Sequence, residues 1–464
     1  MRHSLKFLLC CAILVIISPF NLPAQQQPGG GNGNGNGNGN NGNQNVGGIL
    51  IDADGIVSTS PTRRISRSEL KDLQSAFAEQ LGDPTLIEQN EARVLSLKQL
   101  DEALRSSLAS ESEVPPAIAY LAGLQRIDYV VIDPEQQDIR IVGPAEGFGP
   151  GPDGQILGNT TGRPPMKLDD FVVALRSTVS GQNEIGVSID PTNENLSKLQ
   201  NFVRANSSVT STASAQRRIR TMATILGNQQ VSIWGVPDDS HFALALVEAD
   251  LRMKRIALGL DPSGVRGISS HLALLRPQGN SLQRWWFMPL YEPIGTNAEK
   301  TVFAIKGQRA QLMAQEEISD ATGDRSASSV TRKSTERFAQ QFTEHFEELA
   351  ARQPAFAELQ SLYDLALAGA LIDQNWDRGN VEDAFPTLMQ DDRLPLEVYS
   401  PPRFVESRST TKKAGGVLLG LVGGVTIDAG RVARDVRDEG VSALPGTQSP
   451  APEGSWWWNP QEGR

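Results

Sequence analysis

Ile127-Asp128-Tyr129-Val130-Val131-Ile132, a break at Pro134-Glu135-Gln136-Gln137, then Asp138-Ile139-Arg140-Ile141-Val142: two runs of β-formers around a proline-led turn read as a hairpin. β-Branched and aromatic side chains pack well on a pleated surface, while Pro134 has no N–H to give a ladder. Outward from this hairpin, helices and strands alternate. Toward the C-terminus a helix is expected over 167–179, a strand over 185–189, helices over 194–204 and 213–226, and a strand over 231–236. Toward the N-terminus, helical periodicity covers 69–81 and 95–108, and the apolar runs 48–52 and 55–57 flank an Asp54-Gly55 turn. This interleaving specifies an α/β or α+β class: a mixed sheet with several flanking helices.

Asp239 and Ser240 are N-caps for a helix to about Leu258, with Phe242, Leu246, Ala249 and Met253 on one face. The i,i+4 pairs Glu248/Arg252 and Asp250/Lys254 on the other face read as solvated. Residues 284–291 form an aromatic strand, with 301–305 as its expected neighbour. An α/β core is thus expected over 47–314, and 315–333, polar with clustered Ser and Thr, reads as a linker. Over 334–430 a helical hairpin plus an apolar strand region follows. Ser334 caps the first helix, whose stripe is Phe338, Phe342, Phe346 and Leu349, and Pro354 opens the second, more apolar helix. The run 414–427 is too short and glycine-rich to span a bilayer and reads as buried strand and turn. Residues 431–464 are expected to be a disordered tail bearing Trp456, Trp457 and Trp458. An echo between 103–107 leading to Ile132-Asp133-Pro134 and 174–178 leading to Ile189-Asp190-Pro191 raises the prospect of two similar halves in the core.

At the N-terminus, Arg2 and Lys6 precede an apolar stretch from Phe7 to Ile17, and Leu22-Pro23-Ala24 offers a cleavage point before Gln25. Residues 1–24 therefore read as a signal peptide, and the apolar run falls short of the ~20 residues that a spanning helix needs. The expected destination is periplasmic or extracellular, with no transmembrane segment after cleavage. Cys10 and Cys11, the only cysteines, leave with that peptide, which excludes disulfides, thiol nucleophiles and Cys-ligated zinc. Residues 25–46, glutamine and then alternating glycine and asparagine, have nothing to bury and read as a flexible tether. Loss of Arg2 and Lys6 takes the formal charge from −11 to about −13, a balance that opposes contact with phosphate backbones. Nucleic acid is not an expected partner.

Candidate chemistry is sparse. Gly149-Pro150-Gly151-Pro152-Asp153-Gly154 fits a dinucleotide-loop pattern, but two prolines remove the N–H groups such a loop aims at phosphate, and no helix follows. His241, His271 and His345 lack zinc-motif spacing, so no metal and no cofactor is expected. His345, on the stripe of its helix, reads as a core or boundary residue. His241 opens a helix directly after Asp238 and Asp239, where carboxylates and an imidazole can meet, which makes these three the candidate catalytic residues. Asp52-Ala53-Asp54-Gly55 lacks the further ligands of a calcium loop and reads as a turn. Trp285 and Trp286 read first as core residues and second as a stacking surface. Trp456, Trp457 and Trp458 form a docking element or tuck onto the domain.

Five stretches carry a resemblance: Tyr129 to Pro134, Thr161-Gly162-Arg163-Pro164 leading into Leu168-Asp169-Asp170, Gly186 to Pro191, His241-Phe242 to Lys254, and Gln283-Arg284-Trp285-Trp286-Phe287. They resemble an uncharacterised family of secreted proteins typical of planctomycete bacteria, defined only as a domain of unknown function. The likeness runs from about Gly48 to Ile427. It implies export and a shared fold, and it brings no activity, ligand or catalytic residue. Arg163 and Arg284, from those stretches, join the tryptophans as candidate binding residues.

Two functional expectations follow. The first is a non-enzymatic binding or structural module of the cell envelope or extracellular space, with a protein or polysaccharide partner. The alternative is a hydrolase acting on cell-wall or extracellular polymer through carboxylate and His241 chemistry.

Overall fold

The computed structural model describes Ile49–Ile51, Ile56–Thr59 and residues 65–441, except 183, 207–211, 276–281, 377–378, 391 and 408–420. The expected signal peptide, the tether, the Asp54-Gly55 turn and Trp456, Trp457 and Trp458 lie outside the described residues.

The chain is α+β, with two mixed sheets and helices between and around them. The 127–142 hairpin forms as its sequence dictates: Tyr129–Asp133 pairs antiparallel with Asp138–Ala145, with Asp133 opposite Asp138. These are inner strands of a six-stranded sheet ordered Val436–Asp438, Ile294–Thr296, Val302–Ala304, Tyr129–Asp133, Asp138–Ala145, Asn90–Ser96. A nine-stranded sheet is ordered Ile49–Ile51, Ile56–Thr59, Phe404–Glu406, Asn228–Trp234, Glu184–Asp190, Leu421–Asp428, Leu282–Leu290, Arg309–Ser319, Arg325–Ala327. The two halves of the sequence echo end strands in different sheets, Tyr129–Asp133 in the smaller and Glu184–Asp190 in the larger.

The helix Pro354–Asn375 is the hub. Proline at its first position needs no N–H partner, and its body is apolar all round, the composition of a helix buried on every side. It packs on the helices Leu168–Val179, His241–Ala257 and Ala429–Arg434, and touches both the Arg309–Ser319 strand of the large sheet and the Tyr129–Asp133 strand of the small one. By length and composition this helix could cross a membrane, but 94% of its apolar window is buried inside the protein.

One polar node stitches the sheets to this helix. Arg309, held at φ 73°, donates from Nε to Asp364 Oδ1 (3.2 Å) and from Nη2 to Ile127 O and Asp128 Oδ1 (both 3.0 Å). Asp364 also accepts from the Ile127 N–H (2.9 Å) and the Tyr291 hydroxyl (2.8 Å). Its carboxylate is wholly buried, so the guanidinium and these donors offset the loss of water.

Four expectations are corrected. The strand 284–291 (Leu282–Leu290) does not pair with 301–305: its neighbours are Arg309–Ser319 and Leu421–Asp428, while Val302–Ala304 lies in the other sheet. The polar stretch 315–333 is no exposed linker, because the strand Arg309–Ser319 runs into it and pairs there with Arg325–Ala327. Its two glutamates are buried with partners, while Asp320 and Asp324 in the connecting turn are exposed: Glu316 accepts from Arg332 Nε at 2.8 Å, and Glu317 pairs with Arg284 at 3.0 Å. The tail is ordered through Val436–Asp438, which extends the small sheet beside Ile294–Thr296. Finally, the charged face of His241–Ala257 is not solvated. Glu248, Asp250 and Lys254 are buried, and Lys254 bridges Asp250 Oδ2 (2.7 Å) to the backbone oxygen of Ile189 in the large sheet (3.1 Å).

Candidate functional site

Three helices, Leu168–Val179, His241–Ala257 and Pro354–Asn375, pack on one another pairwise, and the polar residues along their seam form the candidate site. Two of them begin there. Ser240 caps the second helix, its hydroxyl accepting from the Ala243 N–H (3.1 Å) and donating to Pro237 O (2.7 Å), which delivers His241 as the first helical residue. Asp169 and Asp170 occupy the first turn of Leu168–Val179, where the exposed N–H groups of a helix start favour negative charge.

His241 and Asp170 meet. Nδ1 of His241 lies 2.9 Å from Asp170 Oδ2 and 3.1 Å from Oδ1, and both side chains are almost wholly buried. A carboxylate can only accept, so Nδ1 carries the shared proton. The other ring nitrogen, Nε2, is buried without a hydrogen-bond partner. The ring packs edge-on against Tyr399, centroids 5.1 Å apart.

Further carboxyls crowd the seam. Glu248 lies two turns beyond His241 on the same helical face, its Oε2 buried and unpartnered. Burial pushes its carboxyl up to about 7, with repulsion from Glu358 on the central helix adding to the rise. The Glu358 carboxyl is raised by burial too, against the pull of His241 and Lys167. Burial lifts Asp169 to about 6 although it accepts the Glu397 N–H at 2.9 Å.

A strap closes the seam from outside. Besides the Glu397 bond to Asp169, the Tyr399 N–H donates to Asp239 O (2.7 Å), the Tyr399 hydroxyl donates to the Glu397 carboxylate, and Lys167 Nζ stands 5.7 Å over the Tyr399 ring. Between these anchors Val398 is 68% exposed.

The sequence-derived candidates divide. Residues 187–271 match the family model described as protein of unknown function (DUF1598). The DUF1598 region thus takes in one of the five resembling stretches, His241 to Lys254 with Glu248, and all but the first residue of another, Gly186 to Pro191, whereas Asp170, Glu358 and Tyr399 come from outside it. No curated protein and no solved structure matches the chain.

Asp238 and Asp239, expected to meet His241, are exposed, and the Asp239 contact with the strap is made by its backbone oxygen; the ring turns inward to Asp170 instead. Arg163 lies elsewhere, donating to Gln360 Oε1 at 2.6 Å. Arg284 pairs with Glu317 and stacks 4.9 Å over Trp286, so it shares no partner with Arg163 or His241. Trp285 is a core residue: it is wholly buried, donates from Nε1 to Thr335 O (3.2 Å), and packs edge-on against His271 and Phe338. Trp286 points the other way along the strand and is partly exposed. His345 is a boundary residue paired with Glu348 at 2.9 Å. Sequence reading missed Asp170, Glu248, Glu358 and Tyr399 as site residues, although Asp170 and Glu248 both stood in quoted stretches. Among the described residues no cluster of His, Cys, Asp and Glu is arranged to hold a metal.

Proposed function

We propose that the chain is a hydrolase working by general acid–base chemistry on an extracellular polymer, with His241 as the proton-transfer group and Asp170 as the residue that orients it. The observation that carries this is the buried Nε2 of His241, left without a partner while Nδ1 is fixed on Asp170. That arrangement presents a lone pair held in one direction, which a general base requires. Glu248, lifted to about 7, is a second group able to hold or release a proton near neutrality. Several carboxyls raised together by burial within one seam are more common at reactive sites than in inert cores. Substrate reaches His241 by displacement of the Glu397–Tyr399 strap, which lies over it from outside.

The reading includes export: the basic start, the apolar stretch from Phe7 to Ile17 and Ala24 support a removable signal, and N-terminal sequencing of the protein recovered from cells should begin at Gln25. The tether and the tryptophan triplet, which motivated a non-enzymatic docking module, lie outside the described residues and give it no geometric support.

The test is release of soluble fragments from cell-wall and extracellular polymer preparations by the full-length mature chain. His241→Asn is expected to lose at least about a hundredfold in rate. Asp170→Asn, which lets an amide donate to Nδ1 and moves the ring proton to Nε2, should lose a comparable factor. Equal release by wild type and both variants, or none by wild type, rejects the proposal.

A further inference from the structure

At the far end of the central helix lies a cleft of about 270 Å³, between one face of the helix Leu97–Ala109 and the chain that leaves Pro354–Asn375. Eighteen residues separate Glu358 from Trp376, which at 1.5 Å per residue puts the cleft roughly 27 Å from the His241 seam. We propose that this cleft binds one ring of a neutral, hydroxyl-rich glycan.

The helical wall supplies Lys98, Glu102 and Arg105, at the spacing that aligns side chains on one face. The facing wall supplies Trp376, Asn380 and Asp383. Asp101 also reaches the cleft but is committed to the fold, accepting the Leu388 N–H at 2.8 Å. The remaining side chains are of both kinds. Lys98 already donates to Gln136 O (3.1 Å) and Arg105 stands 3.6 Å from Asp101, but each keeps further N–H groups and only donates, while Glu102 and Asp383 in their ionised forms only accept and Asn380 does both. A sugar hydroxyl donates and accepts at once, so a hydroxyl-rich ring can satisfy both walls. Charges of both signs at close quarters repel an anion from Glu102 and Asp383 and a cation from Lys98 and Arg105, which favours a ligand with no net charge.

Size and the tryptophan narrow the class further. The volume falls just under the range of roughly 300–1,000 Å³ typical of sites for drug-sized ligands, which suits one ring better than a folded peptide segment. Trp376 is 8% exposed and packs against Phe385 at 5.7 Å, yet its indole N–H has no acceptor. A buried indole donor ordinarily finds one. Trp376 lines the cleft, so a ligand oxygen bound there is a candidate for the acceptor this N–H lacks. The inference does not depend on His241 being catalytic.

The experiment is a two-dimensional amide and indole NMR titration of the full chain with cellotriose, maltotriose and triacetylchitotriose. The Trp376 indole signal is identified by its loss in Trp376→Phe. At least one trisaccharide should move that signal saturably. The surface double variant Asn380→Ala/Asp383→Ala, which keeps the thermal midpoint, should weaken binding by at least about tenfold, while His241→Asn leaves it unchanged. No movement with any of the three sugars, movement that the double variant does not weaken, or tighter binding of galacturonate than of the neutral sugars overturns the proposal.

Discussion

His241 and its true partner stand far apart in the chain, and that distance explains what could be read beforehand. Asp238 and Asp239 are its neighbours in sequence, but a helix start turns successive side chains in different directions, so adjacency there says little about contact. Asp170 comes from another helix altogether. Glu248 offered a clear signal read the wrong way: Glu248/Arg252 is an i,i+4 pair in one dimension whether it faces water or the core, and only the packing distinguishes the two cases. The buried case has a measurable consequence. A carboxyl raised from its ordinary value to about 7 binds a proton more tightly in the folded than in the unfolded chain. Its contribution to stability is therefore fully present below about pH 4.5 and is lost as pH rises through about 7, a change on the order of 3 kcal/mol for a shift of this size. Urea unfolding across that window should show wild type losing stability relative to Glu248→Gln, whose side chain does not titrate. Parallel curves for the two proteins would exclude the effect.

At the scale of elements, helices with regular apolar spacing and strands rich in β-formers were legible, because period and propensity are local properties. Pairing was not. Leu282–Leu290 was recognisable as a strand, but its partners are Arg309–Ser319, whose Gln and Glu content disguised it as linker, and Leu421–Asp428, from much later in the chain. Glycine in the latter strand is required by close approach. Gly423 sits at φ 138°, and a Cβ there would fall 1.7 Å from the Trp285 carbonyl oxygen. Gly423→Ala should cost at least about 1 kcal/mol and loosen the pairing of Leu282–Leu290 with Leu421–Asp428, which hydrogen exchange of the Trp285 and Phe287 amides would register.

Across the whole molecule, the expected boundary at 315–333 gives way to one continuous core, because the central helix contacts both sheets and the Arg309–Asp364 node ties them together. Asp364→Ala would leave the Arg309 guanidinium buried with Asp128 as its remaining carboxylate, a loss of about 3–5 kcal/mol. Since the node joins both sheets, they should lose structure together: a single denaturation midpoint, shifted downward equally for tryptophan fluorescence and far-ultraviolet circular dichroism, is the expected result. Two separated transitions would mean that the sheets are independent units.

The position of Leu421–Asp428 also dictates birth order. It is flanked by Glu184–Asp190 and Leu282–Leu290, so the large sheet cannot close until the chain has been made as far as residue 428. Until then a polypeptide leaving the ribosome presents two raw inner edges, each able to recruit a strand from another molecule. Assembly of this protein is thus an event of completion rather than of elongation, and a chain stopped short of residue 421 is a candidate for aggregation rather than a smaller version of the fold.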